Sequence, residues 1–458
     1  MERPSELRAV RGTRIATSDG VRPGSVHVER GRITRIGTID DVPPAAAGVV
    51  DAGDLVVLPG LVDTHVHVNE PGRTEWEGFP TATRAAAAGG VTTLLDMPLN
   101  SVPATTTLTA LGEKIAAARG KTWVDVGFIG GVVPGNSATL GGLARGGVLA
   151  FKCFMVPSGV PEFQHVTNDD LRDALPEIAR LGLPLMVHAE SPAVIETATL
   201  EAAAGDPSSY ATYLASRPPA AEHEAVVTVV ELAAAFAAHV HIVHVSSPHS
   251  ARLVADARAN GVRASAETCP HYLFFEAADV PAGATEYKCA PPIRTAADRD
   301  ALWAALESGA ISMIVSDHSP CPPSMKRRDV GDFFIAWGGI ASVQLGASVI
   351  WTAMCERGVA IHRLAEWMSA APAGLVGLGE RKGRIAPGFD ADLLLFDPDR
   401  TWTVEAHALL HRHPITPYLD RQLRGAVEAT YVRGTLAYDR VTGPVETPTG
   451  QLLLARDS

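Results

Sequence analysis

The chain has 458 residues and carries 39 Lys and Arg against 51 Asp and Glu, a formal net charge of −12. That sign argues against an electrostatic nucleic-acid binder, and no Lys/Arg run contradicts it. The five cysteines are scattered without a CxxC pair, which argues against a thiolate zinc site or a disulfide framework and suits a reducing compartment.

The N-terminus has basic residues but no apolar core behind them, so no signal peptide is expected. The longest apolar stretch, 225–240, is interrupted by Glu231 and ends among His239 and His241, too short and polar to span a bilayer. A soluble, cytoplasmic protein is the expectation.

In chain order, the first fifty or so residues read as short strands. SVHVERGRITRIG (25–37) places β-branched residues on both sides of Gly31, a hairpin pattern. From 61 onward short apolar runs alternate with Ala-rich segments. LVDTHVH, VTTLLDMPL, VDVGFIGGV, VLAFKCFM, LPLMVHAE, VHIVHVSS, RASAETCPH and ISMIVSDHS read as eight buried parallel strands. Between most of them lie helical patterns such as TATRAAAAGG, LRDALPEIARLG, EAVVTVVELAAAFAAH and DRDALWAALESG, each about the length of a crossover helix. Strand texture returns in GRIAPGFDADLLLFDPD (383–399) and ATYVRGTLAYDR (429–440). The expected fold is α/β: a (β/α)8 TIM barrel over 56–377, with a small β-sandwich domain from residues 1–55 and 378–458. An open doubly wound sheet is disfavoured because no GxGxxG follows the first strand.

Polar, metal-capable residues sit inside or at the C-terminal ends of these strands: His65 and His67 on the first, Lys152 on the fourth, His188 on the fifth, His244 on the sixth and Asp317 after the eighth. A barrel gathers those ends at one rim. His65 and His67, two apart, share a strand face and can address one ion, although two strand histidines satisfied by neighbours would read the same way. Lys152 interrupts an apolar run, where an ammonium suffers desolvation; a depressed pKa would let the neutral amine take up carbon dioxide and become a bridging carbamate. Pairing with a nearby carboxylate is the alternative. Asp317 fits a ligand and proton carrier, or a turn-forming Asp. His239 and His241 have the opposite parity to His244 and are expected to face away from the barrel axis.

This constellation resembles the cyclic amidohydrolases of the amidohydrolase superfamily, and PGLVDTHVHVNEPGRTEWEGF, AAAAGGVTTLLDMPLNS, FKCFM, ETCPHYL, KCAPPIR and SDHSPC are most similar to its allantoinase branch. The resemblance covers nearly the whole chain. It implies two divalent ions per chain, zinc first with Co, Ni or Mn as alternatives. His65, His67 and Asp317 would hold one, His188 and His244 the other, with carbamylated Lys152 between them and Asp317 as the catalytic proton carrier. It also implies a homotetramer and a small-molecule cyclic ureide substrate, allantoin opened to allantoate, with neither nucleic acid nor membrane as partner. Substrate contacts are expected from Asn69, Cys289 and Ser319. Dihydroorotases carry an Arg where Asn69 stands, so an uncharged ring is expected rather than a carboxylate-bearing one. A hydantoinase or dihydropyrimidinase is the nearest alternative; a non-catalytic interaction protein of the same fold and a mononuclear deaminase are the others.

Overall fold

The computed structural model describes residues 3–18, 20–43 and 46–455. The chain opens with β1 (Ala9–Thr17), β2 (Gly20–Glu29), β3 (Arg32–Gly37), β4 (Val49–Asp51) and β5 (Val56–Pro59). The hairpin expected around Gly31 is present: β2 and β3 pair antiparallel across Arg30–Gly31, whose φ angles of 51° and 77° make the two-residue left-handed turn that matches strand twist.

Eight parallel strands follow: β6 (Leu61–Val66), β7 (Val91–Asp96), β8 (Asp125–Gly131), β9 (Ala150–Phe154), β10 (Leu185–His188), β11 (Val240–Ile242), β12 (Ala264–Thr268) and β13 (Met313–Ile314). Each pairs with the next in sequence order, as a (β/α)8 barrel requires. Nearly every strand residue is buried, because helices cover the outer face and side chains fill the inner one. Val62, Leu95, Ile129, Ala150, Met186 and Val243 belong to the inner layer.

The first and last barrel strands meet differently. A bridge pairs Val66 with His318, and the His67 N–H donates to the His318 carbonyl at 2.8 Å. Below it the Asp63 carboxylate accepts from the Ser316 and His65 backbone N–H groups at 3.2 Å, so a side chain replaces ladder bonds at the seam. Burial pushes the Asp63 carboxyl up to about 6.

Beyond β10 the chain inserts two helices, Pro192–Ala202 and Tyr210–Ser216, ahead of the crossover helix Pro219–Phe236. These insertions deliver Tyr213 and Arg217 to the rim of the barrel. After the barrel come β14 (Leu393–Thr403), β15 (Gln422–Val432), β16 (Thr435–Asp439) and β17 (Gly443–Pro444). They join the N-terminal strands in one mostly antiparallel nine-stranded sheet ordered β17-β16-β15-β14-β5-β1-β2-β3, with β4 beside β1. Arg433–Gly434, with φ 47° and 75°, repeats the left-handed turn between β15 and β16. The last strand, β18 (Leu452–Leu453), leaves this sheet and pairs parallel with β8 of the barrel.

A buried ion network fastens the two sheets together. The Lys382 ammonium donates to Asp392 at 2.7 Å and Asp125 at 2.8 Å and lies 3.1 Å from Asp390, while Arg433 donates to Asp125. Arg381 donates to Asp390 at 2.9 Å, so three carboxylates otherwise able to gather a cation are matched by Lys382, Arg433 and Arg381 of the chain itself.

Candidate active site

A cavity of about 560 Å³ opens at the C-terminal rim of the barrel. His65, His67, His188, His244 and Asp317 line its floor, and Leu99, Phe154, Tyr213, Phe334 and Trp337 supply apolar wall. Donor atoms of His65, His67 and Asp317 lie within 4.8 Å of one another, with His65 Nε2 at 3.3 Å and His67 Nε2 at 3.6 Å from Asp317 Oδ1. The His244 ring stands 5.5 Å from His65 and 4.5 Å from His188, centroid to centroid. Five side chains from four strand ends therefore converge.

Two of them leave their strands in the left-handed region, His244 at φ 39° and Asp317 at φ 46°, a backbone that non-glycine residues rarely adopt. That turn has a consequence for parity. His241 does not face away from the axis: its Nε2 lies 2.9 Å from Glu267, whose other oxygen is 2.5 Å from His65 Nδ1. Alternation holds from His241 to Val243 and then breaks where β11 ends, so His244 also turns inward and the two-residue count across 241–244 misleads. Glu267 on β12 was missed altogether. Its only signal in the sequence was a carboxylate placed inside a short apolar strand.

Lys152 lies beneath the cluster and is fully buried. Its Nζ has no hydrogen-bond acceptor among the described residues and sits 4.8 Å from the centroid of the Phe154 ring, which itself stacks on His188. Burial pulls the ammonium down to about 8, against the opposing charges of Glu267 and Asp317. The same burial lowers His67, His188 and His244, and the Lys152 charge depresses each further. Asp317 moves oppositely: against the upward push of burial, the neighbouring His65 and His67 hold its carboxyl well below the usual range. One orphaned amine among neutral imidazoles and an ionised carboxylate is a donor set suited to divalent cations without thiolate.

Of the expected substrate contacts, Cys289 and Ser319 line the cavity. Asn69 lies one layer behind: it is fully buried, its Oδ1 accepts from Asn100 at 3.1 Å, and Asn100 is the residue that reaches the cavity. Gly339, at φ 137°, lets the opposite wall approach Ser319, where a Cβ would meet the Ser319 carbonyl at 2.5 Å. The wall also holds Arg217 and Lys288, which sequence reading did not single out. Arg217 donates through Nε and Nη2 to Glu190 at 3.1 and 2.7 Å, and Lys288 donates to the Phe334 and Ala336 carbonyls at 3.1 and 2.6 Å.

A (β/α)8 barrel with imidazoles, a buried lysine and a carboxylate at this rim is the architecture of a hydrolase class, and the comparison with known proteins agrees: the chain belongs to the amidohydrolase family, whose profile matches residues 56–437. Among its relatives, an allantoinase of Streptomyces avermitilis is 48% identical over 446 residues, covering 97% of this chain and 98% of that protein. An allantoinase of Arabidopsis thaliana is 42% identical across 95% of this chain and 88% of its own length. Among solved structures, an L-hydantoinase (dihydropyrimidinase) from Arthrobacter aurescens superposes with a TM-score of 0.93 at 32% identity, over 98% of this chain and 100% of that one.

Proposed function

We propose that this protein is a metal-dependent cyclic amidohydrolase that opens the hydantoin ring of allantoin to give allantoate. The observation that carries the reading is its likeness to allantoinases along almost the entire chain, at 48% identity to the Streptomyces protein. His65, His67 and Asp317 would hold one divalent ion, His188 and His244 a second, and a carbamate formed on Lys152 would join the two. Zinc suits the nitrogen and oxygen donors, as do Co, Ni and Mn. Such ions supply Lewis acidity, which polarises a ring carbonyl and acidifies a water near neutral pH.

The protein's own groups do the rest. Asp317, at the floor of the cavity, takes the proton from the attacking water and returns it to the departing ring nitrogen. Cys289 and Ser319 contact the ring, and Asn69 acts through Asn100. The wall favours an uncharged substrate. The cations that line the cavity are each engaged, Arg217 by a two-pronged contact with Glu190, Lys288 by two carbonyls and Arg327 by Asp329 at 3.3 Å, and Arg217, whose fork faces Glu190, offers none to a substrate carboxylate. The proposal includes the division into a barrel over 56–377 and a terminal unit of 1–55 with 378–458, and the family resemblance extends it to a homotetramer in the cytoplasm.

Ring opening of allantoin, hydantoin and dihydrouracil, assayed side by side on one preparation, tests it. Allantoin should be turned over with the highest kcat/KM. A preference for hydantoin or dihydrouracil would replace the allantoinase reading with a hydantoinase or dihydropyrimidinase one.

A further inference from the structure

Two buried carboxylates touch the candidate ligands, and they touch different ring nitrogens. Glu267 Oε1 lies 2.5 Å from His65 Nδ1, and Glu190 Oε2 lies 2.6 Å from His188 Nε2. Both carboxylates are fully buried. A carboxylate can only accept, so each imidazole presents an N–H to its partner, and in the neutral form, the one able to hold an ion, its lone pair lies on the opposite nitrogen. His65 is left with Nε2, the atom 3.3 Å from Asp317, and His188 is left with Nδ1.

Each carboxylate is held from behind. The second oxygen of Glu267 accepts from His241 Nε2 at 2.9 Å, and this obliges His241 to carry its proton there; its Nδ1 then accepts from the Ser265 hydroxyl at 2.7 Å. With a neutral His241 the donor sequence runs from Ser265 through His241 to Glu267, while His65 donates to the same carboxylate from the other side. Glu190 is braced instead by the Arg217 guanidinium, through Nε at 3.1 Å and Nη2 at 2.7 Å. His67 and His244 lack such a support: the Nδ1 of each has no hydrogen-bond partner among the described residues.

We infer that Glu267 and Glu190 are positioning residues that set the tautomer of one histidine in each candidate ligand pair, so that His65 offers Nε2 and His188 offers Nδ1. The inference rests on the reading of these histidines as ligands only for its consequence, not for the tautomers themselves. A second consequence concerns Arg217. It lines the cavity yet governs His188 through Glu190, so the wall that meets substrate is mechanically joined to the floor that holds the ions.

The test is made on the full-length protein as purified, labelled with [15N]histidine, by long-range 1H–15N correlation of the ring nitrogens. The two rings are assigned by their loss in His65→Asn and His188→Asn. The proton should be found on Nδ1 of His65 and on Nε2 of His188; a proton on the opposite nitrogen of either ring overturns the inference. Ion retention against a chelator is then compared in Glu267→Gln, Glu190→Gln and Arg217→Met. Each should bind about 10–100-fold more weakly than wild type, the usual cost of removing an outer support of a ligand. Arg217→Met, at the edge of the cavity, keeps the test alive if a buried glutamate variant does not fold. Wild-type retention in the variants that fold overturns the positioning role. A wild-type protein that binds no ions, with both tautomers as stated, instead sinks the proposed function and leaves the tautomer assignment standing.

Discussion

The Lys152 ammonium nitrogen lies 4.8 Å from the centroid of the Phe154 ring, in a fully buried position with no acceptor for its protons among the described residues. A cation–π contact alone does not offset the desolvation of a buried ammonium, which is why burial draws this group down toward about 8. The arrangement makes sense if the amine is converted to an anion that cations can share. Lys152→Ala should then lose both ions and reduce turnover roughly a thousandfold or more, since water is no longer acidified. Short carboxylic acids added to the variant should restore part of the activity by standing in for the carbamate. Full-rate hydrolysis by the variant would remove Lys152 from the site.

Asp317 stands within 3.6 Å of both His65 and His67 and is kept ionised by them. Asp317→Asn preserves shape and one acceptor oxygen, so most of the metal should remain by elemental analysis. Turnover should nevertheless fall about 10²–10⁴-fold, the range for a lost proton carrier. Retained turnover would assign proton transfer elsewhere.

His411 offers a pH test away from the floor of the cavity. It is fully enclosed, its ring centroid is 5.7 Å from that of His318, and the charged groups facing it are His318, Glu77 and His413. Burial lowers it from 6.5 to about 4, with His318 and His413 adding to the shift and Glu77 opposing it. Because the folded state binds this proton less readily than the unfolded chain, stability is full above about 6.5 and declines as pH falls toward 4, by roughly 3 kcal/mol. Urea unfolding of wild type and His411→Leu across that window should show a shallower decline in the variant. Identical slopes would contradict the assignment.

Lys382 provides the stability test. It neutralises Asp125 on the barrel and Asp390 and Asp392 at the entry to β14. Lys382→Met leaves these carboxylates under-compensated in a dry setting and should cost about 3–5 kcal/mol in chemical denaturation. A change below about 1 kcal/mol would mean that Arg433 and Arg381 balance the cluster without it.

Much of this was legible in the residues before any coordinates. All eight barrel strands announce themselves as apolar runs, because parallel strands are buried on both faces. Both Arg-Gly turns lie where β-branched runs meet. The six polar residues stood out by interrupting such runs. Other features carried no such signal. Glu267 sits in a strand that was recognised, yet a single carboxylate has no period. His241 was assigned to the wrong side because strand alternation was carried past Ile242, where the left-handed turn at His244 ends it. Asp63 closes the seam through the backbone N–H of Ser316, 253 positions away, a partnership invisible to local pattern. The two leucines of β18 are too few to reveal that the chain end returns to the barrel. Arg217 reaches the cavity on an insertion that the strand count did not anticipate.

The most direct test of the whole account is a metal count per chain on the same preparation whose allantoin turnover is measured, before and after removal of the ions. The account predicts about two divalent ions per chain, turnover that disappears with them, and recovery on readdition. Undiminished ring opening by a preparation stripped of metal would contradict it.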